Sequence, residues 1–239
     1  MTKSQKLIND CLENYSAFQK LAEVGENFSH TARSLVIMDA LISGDKSDYE
    51  NIVTAQCGPD KLSFETFCRL SDHFYLFKIK PDLRQLLEIY IILDNYSRTY
   101  AAKSFLVNLP ADQRQPKTRE EMLLSLVRYE MVPEVARLNL SQLDKLRHAL
   151  SYKQFITTGQ PASGFGKAIN GKVPTFEYGD DEQRIVFASI ICGLAGLAGT
   201  LNLGGSLTLT EEVASDLLFL MDNRTDPKKA RRLGELSEP

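Results

Sequence analysis

The sequence has 239 residues, of which 43% are hydrophobic and 25% are charged. These values are ordinary for a soluble globular protein built as one large domain or two small ones. The net charge of −3 argues against nucleic-acid binding through a bulk basic excess, although it leaves room for a local basic face.

The cysteines and histidines provide no recognisable metal motif. No cysteine pair has the C-x-x-C spacing, and three histidines are too few to complete a zinc site with these cysteines. The N-terminal segment is polar and lacks the apolar core and cleavage site of a signal peptide. We therefore expect a reducing cytoplasm, no metal and no cofactor. The cysteines are Cys11, Cys57, Cys68 and Cys192.

The first two thirds of the chain have the apolar periodicity of amphipathic helices. Apolar residues at three- and four-residue spacing predict helices over 3–23 and 29–42, with Gly25 and Gly44 at their ends. A further helix is predicted from Ser63. Its apolar side is expected to carry Phe64, Phe67, Cys68, Ser71 and Tyr75.

Three further helix starts are predicted from a capping pattern. Ser47, Thr118 and Thr208 each stand three residues before a glutamate. In this arrangement the hydroxyl and the carboxylate can each accept from a free amide at the helix start.

The most apolar of the helices is predicted from Pro81 to about Val107. Proline is harmless at the first helical position, and apolar residues occupy nearly every face of the following turns. A helix of this kind lies inside its domain. We expect it to be the central helix of a mainly α, multi-helix globular bundle.

Ten of the fourteen glycines fall between Gly159 and Gly205. Residues 159–180 are expected to form an irregular glycine-rich loop with room for one short hairpin, in which 173–178 would supply a strand. The segment 159–172 approaches the phosphate-loop pattern, but Pro161 and Ala168 replace its first glycine and its magnesium-binding hydroxyl. We do not expect it to bind a nucleotide.

The run 185–201 has no charged residue. Its seventeen residues fall short of the roughly 20 that a transmembrane helix needs, and no aromatic belt brackets them. A buried helix of a globular protein is favoured; a membrane span and an exposed partner-binding surface are the alternatives. Small residues four apart would let another backbone approach, from the chain's own central helix or from a partner. They are Ala188, Cys192, Gly196 and Thr200.

Asp39, His73 and Asp94 are the weak candidates for catalysis. Both aspartates lie in apolar helical segments, and together with the histidine they could form an acid–base or metal site. Asp94 has Arg98 four residues later as a structural partner. Asp39 has no cation within four residues, so it either faces solvent or reaches a tertiary partner, for which His73 is a candidate.

The segment 132–150 is similar to a helix-turn-helix, with a second helix capped by Ser141. The connection is one residue short and lacks the usual glycine. A DNA-binding role would use the polar side of the second helix. The candidate contacts are Gln142, Lys145, Arg147 and His148.

The organisation expected from these features is a helical domain over 1–158, the glycine-rich loop over 159–180, helices packed on that domain over 181–223, and a mobile tail over 224–239. The favoured function is a non-enzymatic helical adaptor of the bacterial cytoplasm that binds a protein partner or itself. The alternatives are a DNA-binding regulator using 132–150 and a small enzyme with an Asp/His site.

Overall fold

The computed structural model describes residues 1–103, 119–157, 180–199 and 205–223, and within them it contains eleven α-helices and no strand. The predicted mainly α globular fold is therefore confirmed. The helices are α1 (Lys3–Asn14), α2 (Ser16–Val24), α3 (Phe28–Ser43), α4 (Lys46–Val53), α5 (Phe64–Ile79), α6 (Pro81–Tyr96), α7 (Arg119–Arg128), α8 (Pro133–Ala136), α9 (Leu140–Thr157), α10 (Asp180–Ala195) and α11 (Glu211–Asn223).

Several predictions fall outside the described residues. They are the glycine-rich loop with its hairpin and phosphate-loop-like segment, the Thr118 cap, Thr200 and the tail 224–239.

The predicted helix over 3–23 is two helices, because the chain extends at Tyr15. The buried carboxylate of Glu134 accepts hydrogen bonds from the Ala17 amide (2.7 Å) and the Ser16 hydroxyl (3.0 Å). These bonds give the start of α2 the acceptor that a helix N-terminus lacks. The Tyr15 hydroxyl donates to Glu88 on α6. The break between α1 and α2 therefore occurs where a carboxylate from a distant part of the sequence binds, which local periodicity cannot predict.

The glycines predicted the ends of helices correctly, whereas the capping pattern with a glutamate three residues later did not predict the helix starts that the structure describes. Gly25 and Gly44 both follow their helices in the left-handed conformation, as predicted. The Ser47 prediction was wrong, since α4 begins at Lys46 and has no side-chain cap. The Thr208 prediction was also wrong, since α11 begins at Glu211.

The carboxylate of Glu211 instead binds the start of α5. It accepts from the Ser63 amide (2.7 Å) and from the hydroxyls of Ser63 and Thr66. The helix predicted from Ser63 is α5, and the Ser63 side chain caps it by accepting from the Thr66 amide. The predicted apolar side of α5 was partly wrong: Tyr75 is 58% exposed, and Phe64 is also exposed. The buried side chains are Thr66, Phe67, Leu70, Phe74 and Phe77.

Helix α6 begins at Pro81 as predicted but ends at Tyr96, well before Val107. Beyond it, the Ser97 and Thr99 hydroxyls donate to the Asp94 and Tyr96 carbonyls. Hydroxyls that bond nearby carbonyls compete with the regular helical ladder, which explains the early end. Helix α6 packs against α2, α3, α5, α9 and α10.

Helices α6, α9 and α10 run in the same direction. Lys80 at the start of α6 and Lys145 near the start of α9 both contact Asp181 in the first turn of α10. Towards the other end, Lys153 on α9 contacts Asp94 on α6. Residues 185–192 of the apolar run are buried apart from the partly buried Ile190, because α10 packs against α3, α6 and α9. In the described part of the chain, no helix is both long and apolar enough to cross a bilayer.

Candidate functional site

The carbonyl groups of residues 193–196, at and just after the end of α10, each have a side-chain donor. The last four carbonyls of a helix have no amide partner within it. Helix α3 supplies two of the donors here, and the segment after residue 205 supplies the other two. The bonds are His30 Nε2 to Gly193 O (2.9 Å), Thr208 Oγ1 to Leu194 O, Ser206 Oγ to Ala195 O (2.7 Å) and Arg33 Nε to Gly196 O (2.9 Å).

Gly196 lets the end of α10 approach α3 closely. A Cβ atom at this position would lie 2.3 Å from Ser34 Oγ and 3.0 Å from both His30 O and Ser34 N. No real Cβ contact is as short as the first of these distances. The junction between α10 and α3 therefore requires glycine here.

Three leucines lie exposed around this closed helix end. Leu194, Leu197 and Leu207 are 38%, 54% and 50% exposed. The Leu207 amide donates to Ala198 O (2.9 Å), which holds the later segment beside the end of α10. We call these three residues the leucine surface.

A cavity of about 200 Å³ adjoins the leucine surface between α6, α9 and α10. Its apolar wall includes Ile91, Ile190, Leu194 and Leu197. Asn95 also lines the cavity, and its Nδ2 donates to Ile91 O. The Asn95 Oδ1 atom is buried and has no hydrogen-bond partner within the described residues.

The charged side chains of this cavity centre on Asp94. Its carboxylate contacts the buried ammonium of Lys153 at 2.6 Å and the guanidinium of Arg98 at 3.2 Å. The Arg98 contact confirms the pair expected from the four-residue spacing. His30 lies at the same cavity. Burial lowers the pKa of His30, and the positive charges of Arg98 and Arg33 add to this effect.

Two larger clefts, of about 330 and 440 Å³, differ from this cavity in character. Charged side chains that line them are paired with one another: Arg84 with Glu88, and Asp181 with Lys80 and Lys145. Among the described residues, neither cleft is lined by an exposed large apolar side chain, whereas the 200 Å³ cavity is lined by two of the leucines.

The three candidate catalytic residues each contact different partner residues. Asp39 reaches Arg84 (2.9 Å) and Lys3 (3.2 Å), so its partner is tertiary, as one alternative expected, but is not His73. The His73 Nε2 atom lies 3.1 Å from the carboxylate of Asp222 on α11. None of these contacts, and neither contact of Asp94 with Lys153 or Arg98, joins one candidate residue to another.

The buried thiols and the potential metal ligands of the described residues offer little further support for catalysis. Burial raises the pKa of the Cys11 thiol to about 12 and also raises that of Cys192, which disfavours a nucleophilic thiolate at either position. Among the described residues, no group of three or more His, Cys, Asp or Glu side chains could hold a metal ion.

The small-residue stripe predicted for partner binding lies inside the chain's own core. Ala188 and Cys192 are buried, and Gly196 packs on α3. The chain itself therefore covers these three members of the stripe, with α3 rather than the expected central helix at Gly196, while Thr200 lies outside the described residues. The outward leucines were missed because α10 is apolar on nearly every face, so its sequence contains no polar stripe that marks the exposed side.

The proposed DNA-reading residues are mostly engaged within the chain. Asn139, rather than Ser141, caps α9, and it exchanges hydrogen bonds with Gln142 (3.0 and 3.1 Å). Lys145 pairs with Asp181, and Arg147 donates to the carbonyl of Arg128. His148 is exposed. The preceding helix, α8, has only four residues.

Compared with known proteins, the chain matches no family model, no curated protein and no solved structure. The proposal below therefore depends on the contacts of the described residues.

Proposed function

We propose that this chain is a helical adaptor protein that binds a protein partner, or a second copy of itself, through the leucine surface. The observation that carries the proposal is that Leu194 and Leu197 are exposed and border the same cavity, while Leu207 is exposed on the segment whose backbone bonds Ala198. Single exposed leucines are common, but adjoining ones that border a cavity are typical of interaction sites.

The way α10 ends supports this proposal. Each carbonyl from Gly193 to Gly196 has a side-chain donor, and Gly196 is packed on α3. The backbone that carries Leu194 and Leu197 is therefore held in place before any partner binds. A preorganised surface loses less conformational entropy on binding, so more of the apolar contact energy contributes to affinity.

The four cysteines support the proposed cytoplasmic location. All four are free thiols, and Cys11 and Cys192 are buried as small apolar side chains. Free thiols are typical of proteins from reducing compartments.

The double variant Leu194→Glu/Leu197→Glu tests the proposal. Two carboxylates would remove the apolar surface without disturbing the backbone hydrogen bonds of the helix end. Co-purification and sedimentation velocity would be compared for the wild type, this variant and Leu140→Glu. Leu140 is a suitable control because it is 79% exposed and is the first residue of α9.

The proposal expects a co-purifying protein, or a self-associated species, that persists with Leu140→Glu and is lost with the double variant. Circular dichroism should show that both variants remain folded. If every association of the wild type survives in the double variant, or if the wild type forms none, the proposal is wrong.

A further inference from the structure

The charges beside the leucine surface suggest what kind of partner binds there. Arg33 donates to the carbonyl of Gly196, and Arg98 and Lys153 line the adjoining cavity. Within the described residues, Asp94 is the single carboxylate that lines this cavity. Among the residues that line the cavity, two cations therefore accompany one carboxylate, and Arg33 adds a further cation beside Gly196.

The helix ends do not cancel this excess. The C-terminus of a helix carries a partial charge of about −0.5, and α6, α9 and α10 all end in this region. With Asp94 and the three helix ends counted against Arg33, Arg98 and Lys153, the sum stays slightly positive.

The cavity has the size of a side-chain pocket. Its volume of about 200 Å³ is below the roughly 300–1,000 Å³ of clefts that enclose a small-molecule ligand. One apolar side chain of a partner fits it better, with neighbouring apolar groups covering Leu197 and Leu207.

We propose that the leucine surface binds an acidic amphipathic helix of a partner protein. This inference rests on the proposed function. Apolar side chains of the helix would cover the leucines and enter the cavity, and its Asp or Glu residues would lie against Arg33 and Arg98. Helix-in-groove recognition by spaced apolar anchors is a common mode of binding, and complementary charge selects the partner.

A random 16-residue peptide library displayed on phage tests this inference. Selections would be made against the immobilised full chain, the Leu194→Glu/Leu197→Glu variant and the Leu140→Glu control. Peptides selected by the wild type and the control, but not by the double variant, should contain apolar residues three or four apart and more Asp and Glu than Lys and Arg.

Two further measurements on the tightest peptide test the role of charge. Raising the salt concentration from 0.05 to 0.5 M should weaken binding by roughly tenfold, because exposed charge pairs are screened. Arg98→Gln should weaken binding by about fivefold. A thermal melt of that variant would show whether the remaining contact of Asp94 with Lys153 keeps the fold intact.

Leucine-dependent peptides that are basic or uncharged would overturn this inference and leave the proposed function standing. Failure to select any leucine-dependent peptide would also overturn it. The proposed function is decided separately by the co-purification and sedimentation experiment, so the two failures can be distinguished.

Discussion

The two ends of α10 differ in how they meet the rest of the molecule. At its start, the carboxylate of Asp181 contacts Lys145 at 2.6 Å and Lys80 at 3.2 Å, and it joins three helices through charge. At its other end, neutral hydroxyls and the side chains of His30 and Arg33 bind the free carbonyls. Only this second end carries the leucine surface.

This difference separates what the fold requires from what it leaves exposed. Parallel helices place partial positive charge at their starts and partial negative charge at their ends. The carboxylate of Asp181 lies at the positive start of α10, and side-chain donors bind the carbonyls of Gly193 to Gly196 at its negative end. Both ends are therefore satisfied without the leucines, and the proposed binding of a partner would explain why these side chains are exposed.

The largest expected effect is that of Gly196→Ala at the α3 junction. The new methyl group would clash with Ser34 Oγ and crowd the His30 carbonyl, so α10 would have to move from α3. We expect a loss of about 2–3 kcal/mol in the free energy of unfolding and a fall in Tm of roughly 5–10 °C. Denaturant titration and calorimetry would measure both.

Gly193→Ala is the matched control on the same helix end, since a methyl group at this position would meet no neighbouring atom within 4 Å. Alanine favours helices over glycine, so this variant should gain up to about 1 kcal/mol. Equal effects of the two substitutions would show that close packing at Gly196 does not hold the helix end.

The second effect concerns the buried hydroxyl of Ser206. It donates to Ala195 O at 2.7 Å and accepts from the Leu209 amide at 3.0 Å. Ser206→Ala leaves both buried groups without this partner and should cost about 2 kcal/mol. Thr208→Val should cost less than about 0.5 kcal/mol, because water can replace its more exposed bond to Leu194 O. A larger loss for Thr208→Val than for Ser206→Ala would contradict this order.

The third effect, smaller than those of Gly196→Ala and Ser206→Ala, is at the start of α10. Burial alone would raise the pKa of Asp181, but the hydrogen bonds from Lys145 and Lys80 outweigh it and lower that pKa below its ordinary value. The stability that Asp181 contributes is therefore fully present above about pH 4 and is lost as the pH falls through the lowered folded-state pKa. Asp181→Asn should cost roughly 1 kcal/mol at neutral pH.

Urea titrations of the wild type and Asp181→Asn from pH 7 to pH 3 would measure this effect. The difference in the free energy of unfolding should shrink as the pH falls below about 4. A difference that stays constant over this range would show that the ion pairs of Asp181 do not cause it.

Local signals in the sequence predicted the helical class and the glycine-marked helix ends. These local signals gave wrong predictions where a side chain that is distant in the sequence determines the local structure. Glu134 breaks the first predicted helix, and Glu211 binds α5 instead of capping with Thr208. The partners of Asp39 lie on α1 and α6. The leucine surface could not be found because the run 185–201 has no charged residue that would mark an exposed side, and only tertiary packing selects the residues left outside.

The most direct test uses a photo-crosslinking amino acid at position 197 of the full chain, in cells that produce it, with position 140 as the reference. Both native residues are exposed leucines, but position 140 begins α9, whose Lys145 contacts the opposite end of α10. The account predicts a specific crosslinked protein, or a crosslinked dimer, from position 197 that is absent from position 140. Identical crosslinks from both positions, or none from position 197, would contradict it.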